Sequence, residues 1–290
     1  MEKREFLNKI KEFRDLKLHE TLDYNKLYLY SIITHSTAIE GSTITEIENQ
    51  NLFDKNLQPK NKTEKEILMN TDLKNAYERG FEICKQKTPF SIVLLSELSG
   101  LLMKNNGSKY NTIFGEFDSS KGNLRRINVR AGKDGKHYMD FHKVPEKLKI
   151  VCDELNKYRL EYSKEKDIYN LYRLSFYAHY SIATIHPWAD GNGRMSRLVM
   201  NLIQYENNIP PTIVKKENRS EYIAALDLAQ NKDDPYIFYN FMFKEHFDNI
   251  QKEIDNYKNS TDKEYNLKFD DFDSEVNEKK IFYFNPKSHR

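Results

Sequence analysis

The 290-residue chain is long enough to bury a substantial core, and its 46 Lys and Arg against 44 Asp and Glu leave a net charge of +2. That balance argues against a strongly electrostatic partner such as duplex DNA or an anionic membrane surface. The apolar runs, "SIVLL" among them, fall far short of the roughly 20 residues of a membrane span, and the charged N-terminus is unlike a secretory signal. The expectation is a protein of the cytoplasm with no membrane and no direct nucleic-acid partner. Cys84 and Cys152 lie in apolar-periodic segments and match neither a disulfide framework nor a metal-site spacing.

Ten glycines and eight prolines, with long stretches of period near 3.6, predict a mainly α fold. In "YNKLYLYSIITHSTAIE" the apolar positions Leu27, Tyr30 and Ile33 predict a helix that ends at about Glu40, before Gly41 as a C-cap. Helices are expected near 63–86 and 90–105, with Ser91 capping the second. The glycine-rich stretch that follows contains "RINVR", "AGKDGK" and "HYMDF". Over 124–141 this reads as a β-hairpin or as an irregular loop. Pro145 then opens a helix to about Tyr162, and "DIYNLYRLSFYAHYSIATI" predicts another that stops at His186, since Pro187 disfavours helical geometry there. Met195, Leu198, Val199, Leu202 and Ile203 form one buried helical face. Further helices are expected from Arg219 to about Asn231 and from Asp234 into the 250s. The last 30 residues read either as an extra helix or as a partly ordered extension.

The chemistry concentrates in "IHPWADGNGR". A helix that opens at Gly191-Asn192-Gly193 presents unpaired N–H groups and the positive end of its dipole, and glycine lets phosphate approach that backbone closely. Arg194 and Arg197 place two cations at the same helix end, against the dipole, which calls for an anion between them. Asp190 is a hard oxygen donor suited to Mg2+ on phosphate. His186, in the loop before the cradle, is of the type that serves as general base toward a hydroxyl.

His186 to Arg197, H-P-W-A-D-G-N-G-R-M-S-R, resembles the signature of the Fic family, H-P-F-x-D/E-G-N-G-R-x-x-R, with Trp188 where phenylalanine is usual. The resemblance extends over roughly residues 30 to 250. It implies a helical Fic core with a short β-hairpin flap, and a protein adenylyltransferase that moves AMP from ATP to a Ser, Thr or Tyr hydroxyl of a protein, itself included. By the same resemblance His186 would take the hydroxyl proton and Asp190 would hold Mg2+. Gly191, Asn192 and Gly193 would bind phosphate through backbone and amide groups, and Arg194 and Arg197 would bind the outer phosphates. The hairpin, with Ile127, Asn128 and Val129, would dock the target by strand addition. Tyr222 reads equally as an aromatic near the adenine and as a helix-core tyrosine. The implied organisation is an N-terminal helical region over 1–90, a Fic core over 91–250 and a charged extension over 251–290, in a chain that could form a homodimer.

Upstream, Glu40 sits at a helix C-terminus, where its charge opposes the dipole and wants a cation, and Ser36 lies one turn earlier, placed to hydrogen-bond the carboxylate. Ser36-Thr37-Ala38-Ile39-Glu40-Gly41 resembles the inhibitory motif of the same family, S/T-x-x-x-E-G/N. The resemblance implies that Glu40 reaches Arg197 and blocks productive seating of the γ-phosphate, or orients water to remove AMP. The alternatives are transfer of UMP, GMP or phosphocholine in the same fold, and a non-catalytic nucleotide-binding regulator. Gly193 argues against the kinase-like branch of the wider family, which has lysine there.

Overall fold

The computed structural model describes residues 1–18, 24–130, 135 and 137–270, with only the backbone for 24, 25 and 261–270. Its described helices are α1 (Lys3–Asp15), α2 (Tyr24–Ile39), α3 (Glu46–Lys55), α4 (Glu64–Lys85), α5 (Ile92–Leu102), α6 (Val144–Glu165), α7 (Ile168–Ile185), α8 (Asn192–Glu206), α9 (Arg219–Lys232) and α10 (Pro235–Asp270). The fold is mainly α, as the periodicity predicts. Local chemistry sets several of the boundaries. Thr45 with Glu48 and Thr63 with Glu66 form capping boxes at the starts of α3 and α4. Ser91 Oγ accepts from Leu94 N at 3.1 Å to start α5. α1 and α3 fall within the expected N-terminal helical region over 1–90, where the sequence reading placed neither individually. The former is amphipathic behind its charges, with Phe6, Ile10 and Phe13 on one buried face.

The apolar interior has two centres. One gathers Leu73, Tyr77, Leu95, Leu155, Ile182 and Leu202 from α4 to α8, and the other gathers Phe6, Tyr172, Phe176, Tyr222, Phe238 and Met242 from α1, α7, α9 and α10. α7 contributes to both, sending Leu174, Ala178 and Ile182 one way and Leu171, Tyr172 and Phe176 the other. α8 is likewise shared, through Leu198 and Met200. The loop that joins α7 to α8 is therefore gripped from both sides, which fixes the position of residues 186–191.

α2 is locked in register by a buried polar network. Thr37 Oγ1 donates to Asn70 Oδ1 at 2.8 Å, and Asn49 Nδ2 donates to Thr34 Oγ1 at 2.8 Å and to Asn70 Oδ1 at 3.0 Å. Asn70 Nδ2 in turn donates to Ser42 Oγ at 3.0 Å, just beyond the end of α2. A one-residue slip would strand these groups without partners, at a cost comparable to a lost hydrogen bond for each.

The regular sheet is not where the sequence places a hairpin. β1 (Lys109–Thr112) and β2 (Gly115–Asp118) pair antiparallel, Tyr110 opposite Phe117, upstream of the expected segment. Among the described residues of 124–141 the pairing is one antiparallel bridge, Arg130 to His137, beside a bond from Tyr138 N to Val129 O at 3.1 Å. The physical reason is that Ile127 and Met139 carbonyls on the two arms are taken by the Arg125 side chain instead of by a ladder. Part of the expected turn, 131–134 and 136, lies outside the described residues. Toward the C-terminus α10 runs unbroken to Asp270, so 251–270 is helical, and 271–290 lie outside the described residues.

Candidate active site

α7 ends on His186, whose φ of 52° and ψ of 64° are left-handed, while its N–H still donates to Ile182 O at 2.9 Å. That conformation is strained for a residue with a β-carbon, and the following Pro187 prevents the helix from continuing. Trp188 is fully buried and its Nε1 donates to Gly122 O at 3.0 Å, so the larger ring in place of phenylalanine finds a partner for its extra polar group. Asn192 closes the loop. Its Oδ1 accepts from Trp188 N at 3.0 Å and its Nδ2 donates to Trp188 O at 2.8 Å. The Asn192 oxygen and one of its two Nδ2 hydrogens are thereby used within the loop, which leaves one amide hydrogen and the backbone N–H of this residue for an anion.

Gly191, with φ of 80°, caps α8, and a methyl group there would stand 2.8 Å from Met103 Sδ. α8 has no side-chain cap, so its first-turn N–H groups are left for an anion. A carboxylate lies close to that turn. A methyl group at Gly193 would lie 2.7 Å from Glu40 Oε1 and 3.3 Å from Arg197 Nη1, so the Glu40 carboxylate rests over the glycine face of the first turn. Glu40 Oε1 accepts from Arg197 Nη2 at 2.7 Å. Burial raises the proton affinity of Glu40, but the charge and hydrogen bond of Arg197, with Arg194 and Arg219, outweigh it and hold the carboxyl below its ordinary range.

The Arg197 guanidinium is buried, and each of its three nitrogens is hydrogen-bonded. Nε donates to Ser36 Oγ at 2.8 Å, Nη2 also donates to Ser36 O at 3.0 Å, and Nη1 donates to Tyr222 OH at 3.4 Å. Ser36 thus grips the arginine and not the carboxylate, which corrects the expected pairing: at the end of α2 both its hydroxyl and its carbonyl are free acceptors that a carboxylate could not use so fully. Arg194 is the opposite case. It is buried, Nη2 reaches only Met103 Sδ at 3.3 Å and Asp190 Oδ1 at 3.8 Å, and neither Nε nor Nη1 has an acceptor. Two orphaned donors on a buried cation, one turn into a helix, specify an anionic ligand.

His186 is half-buried with Tyr138 stacked on its ring at 3.7 Å between centroids. Burial, aided by the Arg125 charge and opposed by a backbone hydrogen bond, Asp190 and Glu40, holds its pKa down to about 4. The imidazole is neutral at physiological pH and able to accept a proton. Asp190 projects outward, 63% exposed, with Oδ1 accepting from Gly191 N at 2.6 Å.

The structure therefore gathers His186, Asp190, Gly191, Gly193, Arg194, Arg197, Glu40 and Ser36 about one helix terminus. It does not bring Tyr222 there as a stacking surface. That ring is only 2% exposed, packed against His179 and Phe238, and its hydroxyl lies 2.9 Å from His179 Nε2, behind Arg197. Of the flap residues, Ile127 O accepts from Arg125, Asn128 bonds Asp140 and Phe141 N, and Val129 O accepts from Tyr138. Sequence reading missed Arg125 and Tyr138, which contact His186 directly; "HYMDF" offered an aromatic but nothing that placed it on the histidine.

Protein adenylyltransferase fic-1 of Caenorhabditis elegans is 28% identical over 259 residues, which is 87% of this chain and 46% of that protein. Protein adenylyltransferase Fic of Drosophila persimilis is 28% identical over 205 residues, 69% of this chain and 36% of that one. The chain thus spans less than half the length of these relatives. Among solved structures, a fragment of Fic-1 from C. elegans superposes with a TM-score of 0.69 at 24% identity, covering 89% of this chain and 73% of that one. A Fic domain containing signaling protein from Bacteroides thetaiotaomicron gives 0.69 at 19% identity, covering 87% and 95%. Those two likenesses establish the shared fold. Residues 89–204 match the Fic/DOC family model, and that span holds the signature from His186 to Arg197 at the start of α8.

Proposed function

We propose that this protein transfers AMP from ATP to a hydroxyl of a protein target, and that the arrangement of Glu40 on Arg197 is its auto-inhibited state. The observation that carries the reading is the pair of buried guanidiniums on α8. Arg194 has two donors without acceptors, and Arg197 has its anion supplied by a carboxylate from α2. A polyphosphate laid along the uncapped terminus satisfies the first and competes with Glu40 for the second. Neutral His186 accepts the proton of the attacking hydroxyl. Transfer then rests on positioning and charge stabilisation.

Mg2+ fits the donors present. Among the described residues there is no group of three or more His, Cys, Asp or Glu that could hold a metal, but Asp190 is an exposed carboxylate beside the cradle. A single carboxylate, with phosphate oxygens and water, is how Mg2+ is usually held. When bound it neutralises phosphate charge, and Asp190 is the residue that would hold it. The reading includes a cytoplasmic location, which two free buried cysteines support, and a homodimer by family resemblance; no described helix is long and apolar enough to cross a membrane.

The test is transfer of label from α-labelled ATP, UTP and GTP and from choline-labelled CDP-choline by wild type, Glu40→Gly and Glu40→Gly/His186→Ala, on the protein itself and in lysate. Labelling by Glu40→Gly with ATP, lost in the double variant, is expected. Preference for another donor would transfer the reading to UMP, GMP or phosphocholine. ATP binding without turnover in Glu40→Gly would make the protein a nucleotide-binding regulator.

A further inference from the structure

Arg125 is only 1% exposed, and the acceptors its guanidinium reaches are all main-chain carbonyls. Nε donates to His186 O at 2.7 Å and Nη2 to Ile185 O at 3.4 Å, at the end of α7. Nη1 donates to Ile127 O at 2.7 Å, and Nη2 also donates to Met139 O. The backbone N–H of the same residue donates to Pro187 O at 3.0 Å. One residue thus holds three consecutive carbonyls, 185 to 187, and both arms of the 124–141 segment.

Burying an arginine without a carboxylate partner is costly. It is offset where carbonyl dipoles converge, and the last carbonyls of a helix are the negative end of its macrodipole. What the clamp secures is also specific. His186 is held in a left-handed conformation that persists only when its surroundings over-determine it. The Nε bond to its carbonyl is one such restraint. The other side of the clamp holds the arm that carries Tyr138, whose ring covers the imidazole at 3.7 Å.

We infer that Arg125 is a positioning residue, which fixes the His186 imidazole relative to the 124–141 segment by clamping both backbones. This rests on the reading of His186 as the base of a transferase. A planar fork with five donors is required, because a lysine ammonium can neither span carbonyls on opposite sides nor hold them coplanar. A displacement of about 1 Å in a reacting group costs on the order of 100-fold in rate.

The experiment uses the full chain carrying Glu40→Gly, with Arg125→Lys and Arg125→Gln added singly. Three quantities are measured: AMP-transfer kcat, ATP Kd by calorimetry, and hydrogen–deuterium exchange across the folded protein. The expected result is a kcat about 100-fold lower with ATP Kd changed less than about threefold. Exchange should be at least about tenfold faster in peptides covering 123–130 and 184–190 and unchanged in α1, α9 and α10. Unaltered exchange at 184–190, or kcat within about threefold of the parent, overturns the inference. So does exchange that rises alike in every helix, the mark of a merely structural arginine. If the Glu40→Gly parent transfers nothing, the proposed activity fails, and the exchange pattern alone decides whether Arg125 clamps the two backbones. If Arg125→Gln does not fold, Arg125→Lys decides.

Discussion

The contact with the most direct consequence is the one between Glu40 and Arg197. Its Oε1 to Nη2 distance of 2.7 Å and the buried guanidinium make it a charge-assisted hydrogen bond, although the Glu40 side chain is 36% accessible. Such bonds contribute about 1.5–3 kcal/mol net, and partial exposure places this one toward the lower end. At 1.36 kcal/mol per factor of ten, removing the carboxylate raises the population able to seat a nucleotide on Arg197 by about 10-fold and at most by about 150-fold. Glu40→Gln separates charge from shape. It retains an acceptor for Nη2 as a neutral bond, worth about 0.5–1.5 kcal/mol, so it should release only a fraction of the activity. The assay is the initial rate of label transfer from α-labelled ATP at subsaturating nucleotide, for wild type, Glu40→Gln and Glu40→Gly. The expected order is wild type, then Gln, then Gly. A Glu40→Gly rate within threefold of wild type, with ATP binding intact by calorimetry, would refute the reasoning, because the carboxylate would then compete with nothing.

Gly193→Ala distinguishes relief of inhibition from loss of the cradle. The added methyl would stand 2.7 Å from Glu40 Oε1 and so expel the carboxylate, but it would also fill the face proposed to receive phosphate. It should therefore bind ATP about tenfold or more weakly and show no activation in the same labelling assay. In a Glu40→Gly background the pH profile should show no acid limb from the base until the pH approaches about 4, where His186 protonates; a limb with a midpoint near 6.5 would mean an exposed imidazole. His186→Ala in that background should lower the rate by about 100-fold or more with ATP affinity retained, measured by the same calorimetry. His246, with a pKa lowered to about 3, His179, lowered well below its ordinary value, and His186 are all depressed by burial. Stability is then fully present above about pH 6.5 and is lost as the unfolded chain takes up protons that the native state refuses, about 2 kcal/mol each for His246 and His186 between pH 7.5 and 5, with His179 acting in the same direction. Urea midpoints over that range test it; an unchanged midpoint would mean that the imidazoles are hydrated.

Helices with strong apolar periodicity were legible because burial and pattern coincide: α4, α7 and α8 fall where "EILMNTDL", "LSFYAHYSI" and "RLVMNLI" place them. α3 was not, although its Thr45–Glu48 capping box can be read in "TEIE", because its apolar content is thin and Ile47 is exposed while Asn49 is buried. The β1–β2 hairpin defeats pattern reading for a related reason. Its strands are four residues each, and its most apolar pair, Ile113 and Phe114, sits exposed on the turn. In the site, residue types were readable but their allegiances were not. Asn192 and Ser36 are polar groups whose partners depend on which backbone lies nearby. Arg125 and Arg126 are identical neighbours, and the carbonyls at the end of α7 and on the two arms of 124–141 decide that the first is buried and the second exposed.

The contacts of Arg197 bear on how the proposed switch works. Four acceptors hold the guanidinium, and only one of them is Glu40. Ser36 takes Nε and Nη2 from the side of α2, and Tyr222 takes Nη1 from the side of α9, braced in turn by His179. When Glu40 turns away, the plane of the arginine is still fixed, so an arriving phosphate meets donors already aimed at it and loses little to reorganisation. Withdrawal of α2 as a body would instead break the Thr37–Asn70–Asn49 network and strip Ser36 from Arg197, leaving several buried polar groups unpaired at about 1–3 kcal/mol each. Rotation of one partly accessible side chain costs far less than that. For the proposed switch the economical route is therefore a change in the Glu40 rotamer with α2 in place, in which the helix proposed to inhibit also keeps the second arginine ready.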